Sequence, residues 1–166
     1  MNKTKRYVYC AMLTAVAMMF SWLEHLIPFD FGIPGVKLGL ANIATVVTLY
    51  LFGCKMAVGV SVVRIVLSSL LFGGVVPMIY SLAGGLCSLC GMILLYRWGR
   101  LGHVGVSAVG GVLHNFGQLL AAFVVVPSLG LWSYTPVLVI SGTLTGVVVG
   151  VVASVCINRL GSVIKC

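Results

Sequence analysis

Carboxylates are almost missing from this chain: Glu24 and Asp30 are the only two acidic side chains among 166 residues. Metal-dependent diphosphate chemistry needs clustered Asp or Glu to hold Mg²⁺, so two isolated acids argue against that reaction and leave no metal site. A phosphate-binding loop of the Gly-x-x-x-x-Gly-Lys-Ser/Thr type is also missing, which argues against ATP hydrolysis by the chain itself. Nor does a nucleophile stand with a base and an orienting acid, since His114 has no acid near it in sequence. The chain therefore reads as a non-enzyme, with no catalytic residue and no implied cofactor. Charge of either sign is scarce as well, 7% of residues against 61% hydrophobic, with a mean hydropathy of +1.20. A soluble domain is excluded, and an all-α integral membrane protein surrounded by lipid is expected.

A bilayer core of ~30 Å needs about 20 mostly apolar residues per helix, which gives room for a bundle of six transmembrane helices in a single domain spanning 1–166. The apolar runs predict spans at Tyr7–Ile27, Leu38–Phe52, Met56–Phe72, Met78–Tyr96, Val104–Val126 and Pro136–Ile157, separated by Gly/Pro-bearing or charged breaks. Charge placement supports the same partition. With the N-terminus in the cytoplasm, Lys3, Lys5, Arg6, Lys55, Arg97, Arg100, Arg159 and Lys165 all fall on the cytoplasmic side, whereas Lys37 falls outside and Arg64 within the third span. Both termini are thus expected in the cytoplasm, and the +8 net charge is a topology signal and not a sign of nucleic-acid binding. The opening Met-Asn-Lys-Thr-Lys-Arg resembles the start of a secretory signal, but the apolar run continues past Ala15 and Ala17 for a full span. The six cysteines are scattered, four of them in or near cytoplasmic halves, which argues against a disulfide framework. Cys87-Ser-Leu-Cys90 is formally a C-x-x-C on a membrane helix; small apolar packing is the favoured reading, with redox or metal use the alternative.

Polar residues inside a span are costly and call for an explanation. Arg64 lies eight residues into the third span, about 12 Å from its cytoplasmic end at 1.5 Å per residue. In His114-Asn-Phe-Gly-Gln118, His114 and Gln118 share a helix face and Asn115 stands next to it. Depth counting puts these residues, Asn42, and Lys37 and Glu24 at the rim, into one column in the outer half of the membrane, with Tyr80 and Ser81 opening the fourth span on the same side. Two readings stay open. Either the polar groups tie helices to one another, or they converge on a solute, for which the excess of cations there favours an anionic group. Substrate-binding candidates are accordingly Lys37, Asn42, Arg64, Tyr80, His114, Asn115 and Gln118. The segment from Pro28 through Asp30, Gly32 and Pro34 to Gly35 and Val36 is the candidate lid. Lys37, between Gly35 and Gly39, is either a hydrated rim charge paired with Glu24 or Asp30, or an entrance charge for an anion.

Small residues at four-residue spacing mark helix packing faces. The last span carries Gly142, Gly146 and Gly150 followed by Ser154, and the first carries Ala11 and Ala15 in its cytoplasmic half, suited either to internal packing or to a helix of another subunit.

Pro-Gly-Val-Lys-Leu-Gly-Leu-Ala-Asn-Ile from Pro34 to Ile43, Gly84-Gly85, His114 to Gln118 and the stretch Pro136 to Gly146 together resemble the bacterial Gx transporter family, also labelled heptaprenyl diphosphate synthase component I. That family in turn is similar to the S-components of energy-coupling factor (ECF) transporters. The resemblance implies six helices, an outward pocket gated by the loop between the first two, and docking of an ECF coupling subunit and its ATPases on an alanine face, here Ala11 and Ala15. The synthase label conflicts with the missing Asp-x-x-Asp motifs. The leading expectation is a transport subunit that captures a small organic, anionic solute, an isoprenoid or quinone precursor being one class, and works with an ATP-driven module. The alternative is a membrane partner of an extracytoplasmic redox or quinone/isoprenoid-pathway assembly without transport of its own.

Overall fold

The computed structural model describes residues 2–26, 39–125, 133 and 135–164. Within them the chain forms six α-helices: α1 Lys3–Leu26, α2 Asn42–Phe52, α3 Cys54–Ser68, α4 Val75–Trp98, α5 His103–Val125 and α6 Thr135–Ile164. A five-residue π-helical segment, Ser69–Gly73, continues α3. Five helices, counting α3 with its π segment, are long and apolar enough to cross a membrane, and α2 is a shorter apolar helix. Large apolar side chains such as Met12, Met19, Leu94, Val124, Leu144 and Val155 point outward around the bundle. That surface belongs in lipid, and the chain is a multi-pass membrane protein.

Helix α2 is the core. Every residue from Ile43 to Leu49 is buried, against α1, α3 and α6 and within one apolar cluster that includes Leu89 and Met92 of α4, Val106 of α5 and Val149 of α6. A helix apolar all round belongs inside a bundle; of its two buried threonines, Thr48 returns its hydroxyl to the Ala44 carbonyl at 2.6 Å, whereas Thr45 Oγ1 has no partner among the described residues. The expected span Leu38–Phe52 is longer than the helix found. Gly39, with φ +71°, starts a turn in which Asn42 N–H donates to the Gly39 carbonyl and Ile43 N–H to that of Leu40, so the helix begins only at Asn42. Hydropathy cannot separate an apolar helix from the apolar turn that enters it.

Two corners rest on single glycines. Gly53 joins α2 to α3 with φ 84°, ψ 176°, and Gly74 joins the π segment to α4 with φ 86°, ψ −175°. That backbone region is essentially closed to side-chain-bearing residues.

Lipid is as apolar as leucine, so the helices are drawn together by close packing and hydrogen bonds rather than by expulsion of water. The Gly142, Gly146 and Gly150 face is filled within the chain: Cβ atoms there would lie 2.8 Å from the Gly111 carbonyl oxygen, 2.7 Å from that of Ser107 and 2.7 Å from Val104 Cα, all on α5. Helix α1 is different. It buries only Cys10 and Ala17 and is clamped to α2 at both ends, where Arg6 Nη2 donates to the Phe52 carbonyl and the Glu24 carboxylate accepts the Leu40 N–H at 2.6 Å. A cation thus meets the carbonyl end of α2 and an anion its N–H end, as the helix dipole favours.

One end of the bundle is basic and closed. Tyr50 meets Tyr96 and His103 edge-on, with ring centroids 5.0 and 4.3 Å away, and Lys3, Lys5, Arg6, Lys55, Arg97, Arg100 and Arg159 lie at the helix ends around it. At the other end the described helices leave a cavity between them.

Candidate functional site

This cavity, of about 180 Å³, lies between the last turn of α1, the first of α2, the end of α3 with its π segment, the start of α4 and the middle of α5. Asn42, Arg64, His114 and Gln118 all line it, so four of the candidate residues meet as the depth count predicts. Asn115 does not. One residue on from His114, it is turned about 100° round α5 and donates its amide to the Leu138 carbonyl at 2.8 Å and Ser141 Oγ at 3.3 Å, holding α6. Tyr80 is replaced in the wall by its neighbour Ser81. Lys37 and the lid candidates Pro28, Asp30, Gly32, Pro34 and Gly35 lie outside the described residues.

Arg64 is the buried charge of the site, 8% exposed. Its Nη2 donates to Asn42 Oδ1 at 3.2 Å, and its Nε has no hydrogen-bond partner among the described residues. A guanidinium offers five donors in a planar fork, so one long bond to a neutral amide leaves most of its capacity for something else in the cavity. Glu24 lines the same cavity within electrostatic reach of Arg64 while it clamps Leu40. It is therefore not only a rim acid, and it offsets part of the positive charge that the sequence suggested.

The paired glycines of α4 bring the two polar helices to one place. A Cβ on Gly84 would lie 2.7 Å from Gln118 Cγ and from the His114 carbonyl oxygen, and one on Gly85 would meet Ile65 Cδ1 at 2.5 Å. Gly84 thus admits α5 and Gly85 admits α3, and Arg64 faces His114 across the space between them. Gly117 continues the close approach, with Ala83 and Cys87 as its neighbours. Cys87 is a packing residue there, and Cys90 is exposed on another face of α4.

Other lining residues escaped notice in the sequence. Ser68 and Phe72 follow Arg64 at i+4 and i+8, and Ser21 and His25 form an i, i+4 pair at the end of α1. Stepping by four from Arg64 would have found the first pair. Ser69 and Gly73 belong to the π segment, where each turn holds an extra residue, a distortion frequent at functional sites. Ile65, Phe72 and Pro77 supply apolar wall. Among the described residues no group of three His, Cys, Asp or Glu side chains gathers to hold a metal ion.

A family model described as heptaprenyl diphosphate synthase component I matches residues 13–156. The chain belongs to that family. No curated protein matches it. Among solved structures, the S component of a bacterial ECF transporter superposes with a TM-score of 0.77 at 19% identity, covering 99% of this chain and 100% of that one. Members of the heptaprenyl diphosphate synthase component I family thus include a chain with the S-component fold. On α1, Ala11 and Ala15 are both exposed, so neither is used for packing within the described bundle.

Proposed function

We propose that the chain is the solute-binding subunit of a membrane transporter: it takes a small organic solute with an anionic group from outside into the cavity and passes it inward with an ATP-driven coupling module. The observation that carries this reading is Arg64, a buried guanidinium in the wall of a cavity, whose Nε has no partner among the described residues. A cation kept in an apolar bundle for packing alone would be expected to exhaust its donors on its neighbours. The S-component likeness and the exposed Ala11 and Ala15 support a transport role and a docking face on α1. The basic end faces the cytoplasm with both termini, Lys37 serves as an entrance charge, and residues 28–36 serve as the lid. The reading includes no catalysis.

Native mass spectrometry of the gently purified protein tests this directly. An anionic small molecule should be retained by the wild type, lost in Arg64→Gln at every ionic strength, and weakened in Lys37→Gln mainly at low salt, because an exposed charge is screened over ~8 Å at physiological ionic strength. If both variants retain ligand as the wild type does, the anion site is wrong. Cysteine labelling should find Lys55, Arg97 and Arg159 positions inside; reaction of Cys54 from outside would overturn the orientation.

A further inference from the structure

We propose that one ordered water molecule is held next to the Arg64 cavity by Ser88 of α4, Ser107 of α5 and Thr145 of α6, and that through Asn42 it aims the Arg64 guanidinium. A second, smaller cavity of about 20 Å³ lies where α2, α4, α5 and α6 come together, and Gly39 and Asn42 line both it and the larger one. A water needs roughly 10–15 Å³ of such space and two to four polar partners. Ser88 and Ser107, both lining the small cavity, are each 3% exposed, and neither hydroxyl has a hydrogen-bond partner among the described residues. A hydroxyl on a helix can return to the carbonyl one turn back, as those of Thr48 and Thr145 do. These two serines do not, and an unpaired hydroxyl in the core of a bundle is costly.

Counting donors and acceptors selects water over a metal ion. Thr145 Oγ1 spends its proton on the Ser141 carbonyl at 2.9 Å and keeps lone pairs to accept with. Asn42 Oδ1 accepts from Arg64 Nη2, which leaves the N–H groups of its amide as donors. A water donates to Thr145 and takes protons from the serines and the amide. A sodium ion would meet lone pairs alone, turn the hydroxyl protons away unpaired, and stand near the Arg64 cation with no carboxylate among the described residues that line this cavity. The water also fixes which way the Asn42 amide faces. Flipped by half a turn, that amide would present N–H groups to a guanidinium that can only donate. Held by the water, it keeps its oxygen toward Arg64, and under the proposed function that sets where the solute's anionic group is met.

Full-length protein in lipid nanodiscs is given a millisecond X-ray pulse, which converts bound water to hydroxyl radicals, and side-chain oxidation is read by mass spectrometry. Met92 lines the small cavity and is 3% exposed, so a radical born beside it is what reaches it. In the wild type Met92 should be oxidised several-fold faster than Cys10, which is comparably buried against Phe52 and Val60. The excess should fall in the Ser88→Ala, Ser107→Ala double variant. Equal rates at Met92 and Cys10 in the wild type overturn the water site, whether or not the variant folds. A melting temperature clearly higher in sodium chloride than in choline chloride of the same ionic strength reveals a cation there and overturns it as well. The aiming of Arg64 is read from its side-chain Nε–Hε resonance in nitrogen-15 spectra, assigned by its loss in Arg64→Lys. The double variant should shift or broaden that resonance and leave the one of Arg97 unchanged; an unmoved Arg64 resonance overturns the link through Asn42. None of these measurements uses a solute, so the water site and the solute reading fail separately.

Discussion

Helix α6 meets α5 backbone to backbone at Gly142, Gly146 and Gly150, whereas α1 buries two residues, packs through side chains such as Cys10 and Leu13 against α2 and α3, and carries a charged side chain on α2 at each end. The first attachment has no slack, because the contacting atoms are main chain. The second is made by side chains, with its charged contacts at the ends, and it leaves one face of α1, with Ala11 and Ala15, exposed. Rigid support for His114 and Gln118 thus comes from one side of the cavity, and an adjustable wall, with Ser21, Glu24 and His25, from the other. A docking partner on α1 would touch the side that can yield.

The sharpest way to break this contrast is Gly146→Leu. Its Cβ would stand 2.7 Å from the Ser107 carbonyl oxygen and 2.8 Å from Ala108 Cα, neither of which can step aside alone. A loss of about 3 kcal/mol or more is expected, read as loss of monodisperse protein and of resistance to SDS. Tolerance equal to that of the lipid-facing Val148→Leu would show that the α5–α6 contact is looser than described. Next comes Gly53→Ala, which puts a side chain at φ 84°, ψ 176° and should cost about 1–3 kcal/mol in the same unfolding assay. Removing either end of the α1 clamp, Arg6→Ala or Glu24→Ala, should cost about 0.5–2 kcal/mol and raise hydrogen exchange in α1 while leaving α5 and α6 protected. Uniform deprotection of all six helices would erase the distinction. The smallest effect on stability belongs to Ala15→Trp, within about 0.5 kcal/mol because the site is exposed. Co-purification with a coupling subunit should nevertheless be lost; if the protein fails to fold instead, α1 is packed more tightly than its exposure indicates.

Most of the helices could be read from the sequence, since apolar runs and basic breaks follow directly from bilayer thickness. The glycine face of α6 announced a close contact, though its partner, α5, required the fold. Arg64, His114 and Gln118 were legible because a polar group in a span has to be explained, and Asn42 because it lies at matching depth. Asn115 went astray because depth says nothing of rotation about the helix. The π segment left no trace in composition: it is a change of hydrogen-bond register, and Ser69-Leu-Leu-Phe-Gly reads equally well as ordinary helix. Glu24 was expected at the rim because its distance from the membrane surface was visible and its bond to Leu40 was not.

The brevity of α2 has an electrical consequence. Its 11 residues rise about 16 Å, roughly half of a ~30 Å hydrocarbon core, and the cavity, which the proposed function opens to water, lies at its first turn. In an energised bilayer the voltage falls mainly across the thinner insulating layer that remains. Under the proposed transport role, a solute held at Arg64 would have crossed little of the potential, and nearly all of it would lie along the path past α2. Moving one net charge over that path would exchange about 2.3 kcal/mol per 100 mV with the membrane, enough to make delivery of a simple anion sensitive to the energy state of the cell. A solute whose charges cancel would travel the same path without feeling it.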